Sequence, residues 1–225
     1  MSESAFGLVG IYGGTFDPVH FGHLRIAEEL VEILQLSELR FLPAGQPRLR
    51  HQPLASSSHR SLMLREAIRD NDKFLLDERE VNRVGESYSV ESLHELKNEF
   101  QGKQIALCFI LGMDAFLKLP GWYQWRELFE LCHLVVVNRP GHVTAIDQKG
   151  LPPELRIECL HRWTDNARKL QTLSSGYVFT AATTLLDISA TAIRGCIAKG
   201  KSARYLLPEQ VLDYIRVHHI YREGK

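Results

Sequence analysis

Apolar positions in this chain fall into short continuous runs that alternate with longer amphipathic stretches. Phe6 to Tyr12 (FGLVGIY) is an apolar run ending in Gly13-Gly14, the profile of a buried strand entering a loop. From His23 to Leu36, the residues Leu24, Ala27, Leu30, Val31 and Leu34 recur at three- and four-residue steps and predict a helix. Leu39 to Pro43 predicts a second strand that Pro43 stops, followed by a Pro- and Ser-rich loop to Ser58. A second helix is expected from His59 to Arg69, with Leu62, Leu64, Ala67 and Ile68 on its apolar side, and then a short strand over Phe74–Leu76. Beyond a charged loop, Val90, Leu93, Leu96 and Phe100 mark a helix from Val90 to Phe100. Ile105 to Leu111 (IALCFIL) is the most hydrophobic run, read as a strand covered on both faces and ending at Gly112. A helix is expected from Trp122 to Leu131, a fifth strand over Leu134–Val137, and a last strand over Tyr177–Thr180. Residues 141–176 carry Pro152-Pro153, many charges and little periodicity, and they resist assignment. Two helices follow, Ala190–Ala198 and Pro208–His218, with Pro208 at the first helical position, where a missing N–H costs nothing.

Strands alternating with helices in this way predict an α/β fold. The expected form is a Rossmann-like, doubly wound parallel sheet of five or six strands, with helices on both faces and C-terminal helices. We expect one domain over 1–225, with a core of about 6–140, a poorly assigned segment 141–176, and a C-terminal strand and helices over about 177–220. Ligands of such sheets bind beyond the carboxyl ends of the strands, where the strand order switches. Lys+Arg and Asp+Glu balance at 27 each in 225 residues, which argues against a general nucleic-acid binder. No run approaches the ~20 apolar residues of a membrane span, and Met1 to Ala5 lacks the basic start of a secretory signal. Cys108, Cys132, Cys159 and Cys196 form no C-x-x-C pair, so reduced thiols in a cytoplasmic protein are expected. Oligomeric state is not set by these features, and assembly of like chains is compatible with them.

The chemistry concentrates after the first strand, in Gly13-Gly14-Thr15-Phe16-Asp17-Pro18-Val19-His20-Phe21-Gly22-His23-Leu24. This is neither the dinucleotide fingerprint nor the NTPase P-loop. Two glycines still permit close approach of backbone to a ligand, and the following helix start offers N–H groups and a positive dipole end. His20 and His23, three apart, can turn both rings toward one anion. The same pair with Asp17 could instead ligate a metal, although no further His or Cys cluster completes such a site.

The segment G-G-T-F-D-P-V-H-x-G-H-L resembles the signature of the H-x-G-H nucleotidyltransferase superfamily. Ile188-Ser189-Ala190-Thr191-Ala192-Ile193-Arg194 is similar to its I-S-x-T-x-x-R, with Ser189 as helix N-cap and Arg194 as a fork for phosphate oxygens. Within the superfamily the chain resembles the bacterial nicotinate-nucleotide adenylyltransferases from Gly10 to Tyr221. Ser87-Tyr88-Ser89 matches a segment that holds the nicotinate carboxylate. Gly112-Met113-Asp114-Ala115-Phe116 matches the family's G-x-D-x-F turn. Leu119-Pro120-Gly121-Trp122-Tyr123-Gln124-Trp125 matches L-P-x-W-x-x-W, whose first Trp stacks on the pyridine ring, and Asn138-Arg139-Pro140-Gly141 matches the R-P-G turn. Two positions depart. The family's P-P-H-K/R loop reads Pro47-Arg48-Leu49-Arg50 here, keeping a cation at Arg50 but losing the His, and a common second Ser is Ala190.

The resemblance implies adenylyl transfer from ATP, with Mg²⁺, to nicotinate mononucleotide in NAD biosynthesis. It implies ATP binding by Gly13, Gly14, Thr15, Phe16, His20, His23, Ser189, Thr191 and Arg194, with His20, His23 and Arg194 catalytic. It further implies acceptor binding by Tyr88, Ser89, Asp114, Trp122, Arg139 and Arg50, and no metal ligand from a protein side chain. Three other readings predict different behaviour. Another adenylyl- or cytidylyltransferase would take a different acceptor, and a nucleotide sensor on the same fold would bind ATP without releasing pyrophosphate. A zinc hydrolase would hold its metal on His20, His23 and Asp17.

Overall fold

The predicted alternation is realised as a seven-stranded, wholly parallel sheet in the order β3-β2-β1-β4-β5-β7-β6. This computed structural model describes residues 5–45, 52–137 and 150–222. The strands are β1 (Gly7–Gly14), β2 (Glu38–Pro43), β3 (Phe74–Leu76), β4 (Ile105–Gly112), β5 (His133–Val137), β6 (Trp163–Thr164) and β7 (Val178–Ala181). The helices are α1 (Phe21–Leu34), α2 (Ser57–Ile68), α3 (Arg79–Asn82), α4 (Ser89–Glu99), α5 (Met113–Phe116), α6 (Leu128–Leu131), α7 (Pro153–Cys159), α8 (Ala190–Ala198) and α9 (Glu209–Val217).

β1 is the pivot. It pairs with β2 on one side and β4 on the other, so the chain order reverses beside it, and its carboxyl end is where sheets of this kind bind ligands. Alternate residues of β1 feed two separate cores. Leu8 and Tyr12 pack with Leu30 and Leu34 of α1, Met63 and Leu64 of α2, Ile193 of α8 and Val211 and Ile215 of α9. Val9 and Ile11 pack on the other face with Leu93 and Leu96 of α4, Phe116 of α5, Phe129 of α6 and Leu155 of α7. The cysteines behave as core residues. Cys108, Cys132 and Cys159 are buried and free, and burial pushes the Cys132 thiol up to about 12.

Four differences from the sequence expectations have physical causes. The sheet has one more strand than expected because β6 is two residues long, too short to show a period, and is defined only by pairing with β7. The helix expected over Trp122–Leu131 is broken. Trp122 is extended and Gln124 is left-handed at φ 47°, so a 3₁₀ turn (Trp125–Glu127) and α6 begin only after them. Pro208 caps α9 instead of opening it. On α2, Leu62 is exposed, and the side chain buried in its place is the cation Arg60.

His133 lies at the base of β5, fully buried. Its Nε2 donates to the Leu173 carbonyl (3.0 Å) and its Nδ1 accepts the Tyr177 N–H (3.1 Å), which defines a neutral ring. Burial lowers its pKa below the ordinary 6.5, with the Leu173 carbonyl opposing the shift. The unfolded chain therefore takes up a proton below pH 6.5 that the folded ring refuses. Stability to denaturant should fall from pH 6.5 toward the lower native pKa, by at most about 1.4 kcal/mol per pH unit from this group. His133→Gln, compared with the parent across that window, should show a shallower fall.

Candidate active site at the carboxyl ends of β1 and β4

The Gly13-Gly14 turn is shaped by aromatic rings packed against it. A Cβ on Gly14 would lie 2.7 Å from the Phe16 ring, and one on Gly13 would lie 3.1 Å from Phe109 of β4. Phe16 takes a positive φ of 49° and buries its side chain among Tyr12, Phe41 and His23, so its ring is part of the core. Asp17 follows, joined to Pro18 by a cis peptide.

His20 is the N-cap of α1 and His23 sits one turn inside. Their rings stack with centroids 3.8 Å apart, so the two imidazoles form one unit. The His20 backbone N–H donates to Nδ1 of His23 (3.3 Å). A neutral His23 therefore carries its hydrogen on Nε2, where it is a donor. Backbone contributes less than the sequence suggested. The Phe21 N–H donates to the Leu206 carbonyl, and the His23 and Leu24 N–H groups return to the His20 carbonyl. Those three N–H groups are thus satisfied within the protein, which leaves side chains to supply most of what this helix start could offer an anion.

The second motif arrives from far along the chain. Ser189 caps α8, its Oγ accepting the Ala192 N–H (3.2 Å). Arg194, one turn on, donates through Nη1 to the Asp17 carbonyl (2.7 Å), while Nη2 lies 3.4 Å from Thr191 Oγ1. The Asp17 carboxylate is 3.8 Å from the same Nη1. A Cβ on Gly22 would sit 3.0 Å from the His20 ring and 3.6 Å from the Ile188 carbonyl, so the start of α8 packs directly on the start of α1.

Asp17 cannot serve the zinc reading. Its Oδ2 accepts the Leu54 N–H (2.9 Å), and its Oδ1 accepts the Ala55 N–H (3.1 Å) and the Tyr221 hydroxyl (2.6 Å). Burial, together with the Asp17 carboxylate, drives the Tyr221 hydroxyl far above its ordinary pKa. Among the described residues no three His, Cys, Asp or Glu side chains form a metal-holding group.

A second group of candidate residues lies across β4. Trp122 is half-buried, edge-on to Phe109 (6.4 Å), and Phe109 in turn borders Gly13. Trp125, by contrast, is core, packed on Phe129 with Arg126 over its ring. Tyr88 is the extended N-cap of α4 and Ser89 its first residue, so the segment offers helix N-terminal N–H groups. The Tyr88 ring meets Tyr123 at 4.6 Å, joining the two segments that the resemblance assigns to the acceptor, a contact that motif matching missed. Asp114 lies in the first turn of α5, directly beyond β4. Arg50 and Arg139 lie outside the described residues.

The cytidylyltransferase-like family profile matches residues 11–195. The probable nicotinate-nucleotide adenylyltransferase of Halorhodospira halophila is 47% identical over 203 residues, covering 90% of each chain. The chain belongs to the nicotinate-nucleotide adenylyltransferases. The corresponding protein of Dechloromonas aromatica is 45% identical over 216 residues, 96% of this chain and 98% of its own. The fold also matches the Plasmodium falciparum nicotinic acid mononucleotide adenylyltransferase solved with NaAD, at TM-score 0.70 and 15% identity over 96% of this chain and 97% of that one.

In this adenylyltransferase, Gly22 leaves the room that the His20 ring occupies. Gly22→Ala gains helix propensity of about 0.5–1 kcal/mol but drives a methyl into that ring. Thermal stability should hold or rise while kcat falls about tenfold or more, equivalent to about 1.4 kcal/mol of barrier. Calorimetry paired with a pyrophosphate-release assay checks both.

Proposed function

We propose that this chain transfers the adenylyl group of ATP to the 5′-phosphate of nicotinate mononucleotide, giving nicotinate adenine dinucleotide and pyrophosphate. One observation carries the reading. Arg194 reaches across 177 residues of sequence to bond the Asp17 carbonyl, which brings the I-S-x-T-x-x-R helix against the H-x-G-H segment and supports one anion site served by both. Family membership supplies the acceptor.

An acceptor phosphate oxygen attacks the α-phosphorus of ATP as the bond to the bridging oxygen of pyrophosphate breaks. A phosphate monoester has a second pKa near ~6, so the nucleophile is already ionised at neutral pH and no general base is needed. The protein's task is alignment and charge stabilisation. His23, donating through Nε2, and His20 beside it act on the triphosphate and the transition state. The turn of Gly13, Gly14, Thr15 and the Phe16 backbone binds ATP. Ser189, Thr191 and Arg194 hold the β- and γ-phosphates and stabilise departing pyrophosphate. Mg²⁺ enters as part of the Mg·ATP substrate, carried mainly on phosphate oxygens and water.

On the acceptor side, the donors at the start of α4, Tyr88 and Ser89, suit a carboxylate and oppose the NH₂ of an amide, and Trp122 supplies a face for the pyridine ring. Buried donors left facing donors discriminate strongly. Asp114 serves the ribose or acceptor, and Arg139 and Arg50 the acceptor phosphate, by family likeness. The enzyme works in the cytoplasm on this reading, consistent with its free cysteines.

His23→Ala should fold normally and lose about a hundredfold or more in kcat, near ~2.7 kcal/mol of transition-state stabilisation. Turnover within about threefold of the parent would remove His23 from the mechanism. Incubation with Mg·ATP and a panel of phosphorylated acceptors, following pyrophosphate, should give the highest kcat/KM with nicotinate mononucleotide. Equal values for the acid and amide mononucleotides would refute the carboxylate preference.

A further inference from the structure

Among the described residues Arg60 is the largest fully buried side chain, 1% exposed, and it sits beneath the candidate site. Its guanidinium spans two loops. Nη1 donates to the Thr15 carbonyl (2.7 Å), and Nη2 donates to the carbonyls of Ala44 (2.6 Å) and Gly45 (2.9 Å). Thr15 belongs to the turn assigned to ATP, whereas Ala44 and Gly45 lead from β2 toward the acceptor side.

Gly45 packs so closely on that side that a Cβ there would lie 2.2 Å from the Glu80 carbonyl and 3.4 Å from Ser87 Oγ. Ser87 Oγ in turn donates to the Glu80 carbonyl (3.3 Å), one residue before Tyr88. The ladder between β1 and β2 reaches its end at Gly14 and Pro43, with the Ala44 N–H on the Gly14 carbonyl (2.9 Å) as the last bond. Beyond it the two chains diverge, and Arg60 takes up carbonyls from both.

We propose that Arg60 is a positioning residue that sets the distance between the ATP-side turn and the acceptor-side loop, and through it the in-line approach of the two bound phosphates. The inference rests on the assignment of those two loops to the two substrates. Arginine suits the position because its planar fork directs several donors to fixed points at once. A lysine keeps the charge but has one compact ammonium, which cannot hold carbonyls on both loops in the same spacing. Because the nucleophile arrives ionised, rate depends on alignment, and misplacement of about an ångström costs about a hundredfold. Neither loop loses its own substrate contacts when the staple is cut, so binding of each substrate alone is preserved.

The experiment compares the parent with Arg60→Lys and Arg60→Gln. Binding of a non-hydrolysable Mg·ATP analogue and of nicotinate mononucleotide is measured separately by calorimetry. Single-turnover rates are then measured at saturation of both substrates and expressed per active site by titration. For Arg60→Lys we expect both dissociation constants within about threefold of the parent and a rate per site lower by about thirtyfold or more. A rate per site within about threefold of the parent overturns the inference. So does a loss explained wholly by fewer competent sites, or loss of the fold in both variants, since Arg60 would then serve stability alone. A parent enzyme that releases no pyrophosphate with nicotinate mononucleotide would instead overturn the functional reading.

Discussion

The site depends on a buried carboxylate. Asp17 is 5% exposed and would be costly to bury unpaired. Its oxygens are met by the backbone leading into α2, by the Tyr221 hydroxyl from the end of the described chain, and by the guanidinium of Arg194. Three remote stretches of polypeptide are thereby tied to the turn that follows β1. Because the cost of leaving the charge unpaired is paid if any stretch moves away, the arrangement is held from several sides. Arg194 arrives already oriented, with one nitrogen on the Asp17 carbonyl.

That pre-orientation is what group transfer between two polyanions asks of a protein. In the proposed reaction an ionised nucleophile needs no base, so donors fixed before the charge develops would supply the catalytic effect. Fixation here is achieved by ordinary local devices. The His20 N–H holds Nδ1 of His23, the Gly22 position leaves room for the His20 ring, and Ser189 caps the helix carrying Arg194. Two buried cation–acceptor clusters lie beneath, one around Asp17 and one around Arg60, and they share the turn from Thr15 to Asp17.

Much of this could be read before any coordinates. The runs of Phe6–Tyr12 and Ile105–Leu111 are strands because continuous apolar residues suit a sheet covered on both faces. The spacing in α4 matched its buried face, with Val90, Leu93 and Leu96 inside, and in α1 Ala27, Leu30 and Leu34 are buried as the period predicts. Where the reading failed, the deciding interaction was not local. β6 exists only through its neighbour, and the turn at Gln124 bends a stretch whose composition suits a helix. Arg60 carries no signal of burial along the chain, because an arginine looks like a surface residue until three carbonyls are found waiting for it.

The amino-acid sequence by itself determined the alternation of strands and helices, the two motifs H-x-G-H and I-S-x-T-x-x-R, and the family to which they point. These are properties of neighbouring residues, set by periodicity, capping and backbone freedom within a few positions. Tertiary structure alone decided that Asp17 is a junction and not a metal ligand, that Trp122 is half-buried against Phe109 while Trp125 fills the core, and that Arg60 joins two loops. Each of those outcomes turns on which distant polar or aromatic group arrives to satisfy a buried one, and spacing along the chain carries no record of that meeting.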